Sequence, residues 1–244
     1  MVPDMVIDRP DPAAGVFDTV LVQDGRPVSL AAHLARLAAS VRAVYDVVLD
    51  PVDLERRARS AAAGLDLARL RVDYAPERGV DLVVTALAER PRSPWHLVVR
   101  RVPGGWGEHK WRDRAALAAG PDPDRDPLLV DEHDVLLETG RGNVFVVRHG
   151  EVTTPPLDGR ILPGVSRASV LGLLTGAGVP CRERPVTLAD LGEADEVFAT
   201  NAIGGVRPVT SVDGVGAWPA GPVTRSADEA LELAWSGPVA DAGP

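Results

Sequence analysis

The spacing of the apolar residues changes abruptly near Gly64, and that change limits the fold more than any other feature of the chain. Ahead of it, "SLAAHLARLAASVRAVY" sets Leu30, Leu34, Leu37 and Val41 along one face of a helix, with Ser29 as the expected N-cap. A second helix is expected in "DPVDLERRARSAAAGL". Asp50 caps it, Pro51 takes the first helical position, where a missing N–H costs nothing, and Gly64 ends it. Past Gly64 the pattern turns to strands: "LARLRVDYAP", "VDLVVTALAE" and "WHLVVRRVP", separated by proline, glycine and charged clusters. Upstream of both helices, "FDTVLVQDGRPVSL" reads as two short strands around a turn at Asp24-Gly25, a pair that accepts the positive φ angles of a tight hairpin. Helices and strands therefore share the first half of the chain, which is an α/β pattern.

With 244 residues there is room for two units, and the glycines at 104 and 105 are the expected boundary. The division is 1–103 for an N-terminal α/β domain, 104–112 for an interdomain segment, and 113–244 for a C-terminal α/β domain. The second half opens with a short expected helix, "RDRAALAAG", and a loop, "PDPDRDP". Strands follow in "LLVDEHDVLLE", "NVFVVRHGEVTTP" and "DEVFATN", with a helix, "SRASVLGLLTGAG", between the last two. The terminal "SGPVADAGP" is expected to fray. No apolar run approaches the roughly 20 residues that cross a bilayer. The N-terminus has acids and prolines where a signal peptide is basic and then apolar, so a cytoplasmic protein is expected. A net charge of −9 argues against a nucleic-acid partner, and a single cysteine with no Cys/His cluster argues against disulfide and metal roles. Small molecules and proteins remain as partners.

Lys110, in "GEHKWRDR", is the only lysine among 26 basic residues. Arginine stays protonated, whereas a lysine amine can lose its proton and attack a carbonyl, so the exception points to Schiff-base chemistry. Three further stretches carry polar groups beside strong structural signals. Glu138 ends an apolar run in "LLETGRGNVFVV" and could face a cationic nitrogen. "LDGRILPGVSR" runs through a Pro-Gly turn into a helix beginning near Ser166, whose free N–H groups suit a phosphate. "EVFATNAIGGVRPV" passes from a strand into a loop with Thr200, Asn201, Gly204 and Gly205. Arg36, three residues from His33 on one helical face, could fork onto a phosphate. Each has a plainer reading as well: a surviving surface lysine, a solvated strand end, an ordinary capped helix, a turn, a surface arginine. Together they list the needs of pyridoxal 5'-phosphate: an amine, a carboxylate for the pyridinium nitrogen, and a helix start plus arginine for the phosphate.

These stretches, in this order from Phe17 to Val209, resemble the class IV pyridoxal-phosphate enzymes, which include branched-chain and D-amino-acid aminotransferases and aminodeoxychorismate lyase. The resemblance implies fold type IV: a smaller N-terminal α/β domain, a larger C-terminal α/β pseudo-barrel domain, and a homodimer. It implies Lys110 as the Schiff-base lysine and catalytic base, Glu138 as partner of the pyridine nitrogen, and Arg36 as the phosphate arginine. Val165 and Ser166 become backbone phosphate donors, Thr200, Asn201 and Ala202 close the phosphate site, and Arg114 is a substrate-carboxylate contact. Arg114, four residues after the lysine, and the Asn201-Ala202 pair are similar to the lyase. The tyrosine of branched-chain transaminases and the Arg-x-His element of D-amino-acid transaminases are absent, as is the usual opening Asp-Arg-Gly segment. The implied activity is conversion of 4-amino-4-deoxychorismate to 4-aminobenzoate and pyruvate, with a class IV aminotransferase acting on branched-chain or D-amino acids, or a non-catalytic family member that binds the cofactor or another ligand, as alternatives.

Overall fold

The computed structural model describes residues 9–117 and 125–237. Its first sheet is built from β1 (Val16–Gln23), β2 (Arg26–Pro27), β3 (Leu67–Ala75) and β4 (Gly79–Ala86), in the order β2-β1-β3-β4. Asp24 and Gly25 both hold positive φ, 51° and 73°, as the hairpin chemistry requires. Two helices, α1 (Leu30–Tyr45) and α2 (Pro51–Ala62), cover one face of this sheet. Leu34, Leu37, Val41, Leu54 and Ala58 pack there on Val16, Val20, Val22, Leu70 and Val72. Asp50 caps α2 as expected, accepting from the N–H groups of Val52 and Asp53. Ser29 does not cap α1: its backbone is left-handed (φ 51°, ψ 34°) and its hydroxyl makes no cap bond.

Among the described residues the second sheet has nine strands. It contains β5 (Trp95–Arg101), β6 (Arg125–Val130), β7 (Leu136–Thr139), β8 (Asn143–Arg148), β9 (Glu151–Thr154), β10 (Cys181–Glu183), β11 (Glu196–Asn201), β12 (Gly205–Val212) and β13 (Gly216–Ala217). The order is β10-β9-β8-β11-β12-β5-β6-β7, with β13 on β12. Strands β7 and β8 stand far apart in that order yet are joined by residues 140–142 alone, so the sheet curls round on itself. Helices α3 (Val165–Gly176) and α5 (Pro222–Ser236) pack on it through Val170, Leu174, Ala227, Leu231 and Trp235, and a short α4 (Leu188–Gly192) adds Leu191 to its core. No helix among the described residues is long and apolar enough to cross a membrane.

Strand β5, expected on the N-terminal side of a boundary at residue 103, runs parallel to β6 and β12 in the second sheet. The chain changes sheets within residues 87–94, ahead of Gly104 and Gly105. Of the helix expected in "RDRAALAAG", Ala115–Leu117 forms one 3-10 turn, and the rest lies outside the described residues. The same holds for the chain start, the first part of the "PDPDRDP" loop and all but two residues of the "SGPVADAGP" tail. Helix α5 and strand β12 have no counterpart in the sequence reading. Gly221 offers α5 no capping side chain, and Glu196 supplies one from β11, accepting from Val223 N–H (3.0 Å), Thr224 N–H (2.8 Å) and the Thr224 hydroxyl (2.7 Å).

Candidate active site

The lysine is placed by an open strand edge. Strand β2 pairs only with Val22 and Gln23, which leaves the first residues of β1 unpaired on that side. Residues 110–112 fill the gap: Phe17 N–H donates to the Lys110 carbonyl (2.8 Å), Arg112 N–H donates to the Gly15 carbonyl (2.9 Å), and Trp111 bridges to Val16. The Lys110 amine then lies 5.2 Å from the centre of the Phe17 ring. Arg114 faces the same ring at 5.9 Å and Arg71 at 3.9 Å. Protein surrounding Lys110 withholds water from its charge, and Arg36 and Arg114 repel it; despite Asp18 and Glu138, the amine is lowered to about 7.

Glu138, at the end of β7, is 7% exposed. Burial raises its carboxyl to about 8 against the pull of Arg114, the Leu162 N–H that it accepts (3.3 Å), Lys110 and Arg36. Near pH 7 the two central groups are thus poised: an amine that can be neutral and a carboxyl that can hold a proton. Arg114 donates to the Gly140 carbonyl, which ties it to the turn just past Glu138.

Arg36 projects from α1. It grips Asp18 with Nε to Oδ2 (2.9 Å) and Nη2 to Oδ1 (2.8 Å), and donates from Nη1 to the Pro163 carbonyl (2.9 Å). A guanidinium has five N–H donors, so these three bonds leave two for a ligand. Asp18 is 1% exposed and also accepts from His33 Nδ1 (2.8 Å), which must carry the proton there because an ionised carboxylate only accepts. Burial alone would raise the Asp18 carboxyl, yet Arg36 and then His33 hold it well below the usual carboxylate range.

Pro163 leads to the start of α3, where Gly164 stands in place of a capping side chain. The first backbone bond of this helix is Ala168 N–H to the Gly164 carbonyl (3.0 Å), which leaves Val165 and Ser166 N–H groups without a helical acceptor. A Cβ at Gly164 would fall 2.0 Å from Asn143 Oδ1, so only glycine fits against that side chain. Asn143 is paired across the sheet with Thr200, which is 1% exposed and whose Oγ1 is buried with no partner. Asn201 Oδ1 accepts from Ile203 N–H (3.0 Å) and Gly204 N–H (2.6 Å), shaping a tight turn that contains Ala202. Two spare guanidinium donors, the open helix start and an orphaned hydroxyl make a cradle suited to a dianionic phosphate.

A family model described as amino-transferase class IV matches residues 15–212. The chain belongs to the class IV aminotransferase family. Among solved structures, a 4-amino-4-deoxychorismate lyase from Pseudomonas aeruginosa is 28% identical, with a TM-score of 0.75 over 92% of this chain and 93% of that one. An aminotransferase from Brucella abortus bound to pyridoxal phosphate is 25% identical, with a TM-score of 0.80 over 92% and 90%. A branched-chain-amino-acid aminotransferase-like protein from Arabidopsis thaliana is 35% identical over 109 residues, or 44% of this chain and 19% of the relative. The matches span about a fifth to a third of the length of such curated relatives. The class IV fold, a small sheet beside a larger curled one, is the architecture seen here.

All nine residues named from the sequence lie in this region or in the turn that borders it. Sequence reasoning passed over two more, Asp18 and Asn143, and read Gly164 only as part of the Pro-Gly turn ahead of the helix. Asp18 had a signal, since it interrupts the buried face of β1 formed by Val16, Val20 and Val22, where an acid needs a partner. The fit of Asn143 against Gly164 had none, because it joins a strand to a helix start 21 positions away.

Proposed function

We propose that this class IV protein binds pyridoxal 5'-phosphate and converts 4-amino-4-deoxychorismate into 4-aminobenzoate and pyruvate. The carrying observation is the shared ring of Phe17, faced by the Lys110 amine and by the Arg114 guanidinium. It brings a base and a carboxylate anchor to one aromatic ring. The cofactor, when bound through its aldehyde, supplies an electron sink conjugated to the substrate nitrogen. Arg36, the N–H groups of Val165 and Ser166, and Thr200 Oγ1 would hold its phosphate, and Glu138 its pyridine nitrogen. Lys110 takes the proton from the ring carbon that bears the nitrogen, its lowered pKa matching that task near neutral pH. The ring-oxygen bond to the enolpyruvyl group then breaks with its electrons on oxygen. The departing enol takes a proton at its methylene carbon to give pyruvate, and the ring becomes aromatic. Arg114 orients a substrate carboxylate throughout.

A second reading, an aminotransferase, draws support from the names of the curated relatives, which include branched-chain-amino-acid aminotransferase. Both readings use the same cofactor residues and the same first proton removal by Lys110; the lyase then breaks the ring–oxygen bond and keeps the nitrogen on the ring, whereas the aminotransferase passes the nitrogen to a keto acid. Purified protein supplied with pyridoxal phosphate is incubated with aminodeoxychorismate, and separately with pairs of amino acids and keto acids. Release of 4-aminobenzoate and pyruvate in equal amounts supports the lyase. Amino transfer without 4-aminobenzoate formation replaces it with the second reading.

A further inference from the structure

The segment that carries the chain from the small sheet to the large one, residues 87–94, is fastened to the turn that borders the phosphate cradle. Arg90 donates from Nε to the Ile203 carbonyl (2.8 Å) and from Nη1 to Glu232 Oε2 of α5 (2.6 Å), and its guanidinium carbon lies 4.7 Å from the centre of the Trp235 ring. Its side chain is 8% exposed. Arg207, buried in β12, donates to the Pro91 carbonyl, and Arg92 pairs with Asp228 (3.2 Å) and Glu232 (2.9 Å). The two glycines of the turn follow from these contacts. A Cβ on Gly204 would come 3.1 Å from Arg207 Cδ. One on Gly205, whose φ is +69°, would come 2.9 Å from Arg90 Nη2.

Asn201 holds this turn from inside, through the N–H groups of Ile203 and Gly204, and Arg90 holds it from outside, through the Ile203 carbonyl. We infer that Arg90 is a positioning residue for the cofactor phosphate: it braces the Asn201–Gly205 turn, and through it Thr200 and Ala202, against the segment between the sheets. It touches neither phosphate nor substrate and acts through the turn. Lysine cannot replace it well, because a single ammonium lacks the planar fork that serves a carbonyl and a carboxylate while stacking on an indole. The inference rests on cofactor binding, and it holds for the lyase and the aminotransferase alike.

The test compares binding of pyridoxal phosphate with binding of pyridoxal, which lacks the phosphate, to cofactor-free protein. Arg90→Met should weaken pyridoxal phosphate binding tenfold or more and change pyridoxal binding less than threefold. Glu232→Gln, which removes the ion pair but leaves the bond to Ile203, should lower the melting temperature while keeping pyridoxal phosphate binding within threefold. If Arg90→Met binds pyridoxal phosphate within threefold of wild type, or loses both ligands by one factor, Arg90 does not position the phosphate. Should the methionine variant fail to fold, Arg90→Lys is judged by the same two ratios. Wild-type protein that takes up neither ligand would sink the functional reading instead, which keeps the two failures apart.

Discussion

Replacing Asp18 by asparagine removes the carboxylate on which Arg36 is held while keeping the side-chain volume. In the wild type the fork spans 2.8 and 2.9 Å, Asp18 is 1% exposed and the Arg36 side chain 9%, so little water can take over the lost contact. Breaking a buried pair from one side leaves a buried charge uncompensated, which costs about 3–5 kcal/mol. The amide oxygen keeps one acceptor, so the lower end is expected, about 3 kcal/mol. For a chain of this size that is roughly 10 °C of melting temperature. Urea unfolding of the cofactor-free protein at pH 7 measures it. Asp46→Asn is the control, because its pair with Arg42 is 3.5 Å long and open to solvent on both sides, and its loss should be barely measurable. The pH dependence has a definite sign. The folded Asp18 carboxyl is depressed, so its contribution is complete above the unfolded value near 4 and fades as pH falls through the folded value. Wild-type stability should therefore drop below about pH 4 by a component that Asp18→Asn lacks. A variant within about 1 kcal/mol of wild type at pH 7 would show that Asp18 does not hold Arg36.

Lys110→Arg keeps a cation of similar reach that neither loses its proton nor forms a Schiff base; borohydride treatment should leave no pyridoxyl group on the peptide around residue 110, and activity should fall by several orders of magnitude. Glu138→Gln should slow turnover far more than it weakens cofactor binding, because the phosphate contacts persist, and steady-state kinetics beside a cofactor titration separates the two. With the Lys110 amine lowered to about 7, the rate at which cofactor-free protein captures pyridoxal phosphate should rise through pH 7 and level off; a rate still climbing towards pH 10 would mean an ordinary lysine. We expect a homodimer in solution, and light scattering at assay concentration that finds a fully active monomer would contradict it.

The local elements of the first half were legible because each rests on neighbours in sequence. Asp24-Gly25 makes its hairpin and Asp50-Pro51 starts its helix by short-range sterics and hydrogen bonds, whatever lies beyond them. Ser29 shows the limit of such rules, since a left-handed backbone at that position turns a good capping side chain away from the helix. Helix α5 was legible and went unread: Thr224, Ala227, Leu231 and Trp235 repeat at helical spacing, but no side-chain cap marks the start, because Glu196 supplies it from another strand.

By itself the sequence determined that Lys110 is the one lysine whose side-chain amine could form a Schiff base, that Glu138 and the Pro-Gly helix start offer a carboxylate and free N–H groups, and that strands and helices share an α/β chain. Those conclusions depend on residue identity and on spacing over a few positions. Only the tertiary structure decided where these groups meet. Lys110 reaches its ring through an edge that β2 is too short to fill, β5 joins the second sheet, and Arg36 is aimed by an acid 18 positions earlier. Pairing between distant strands is set by which faces can be buried together, a property of the whole chain that no short window contains.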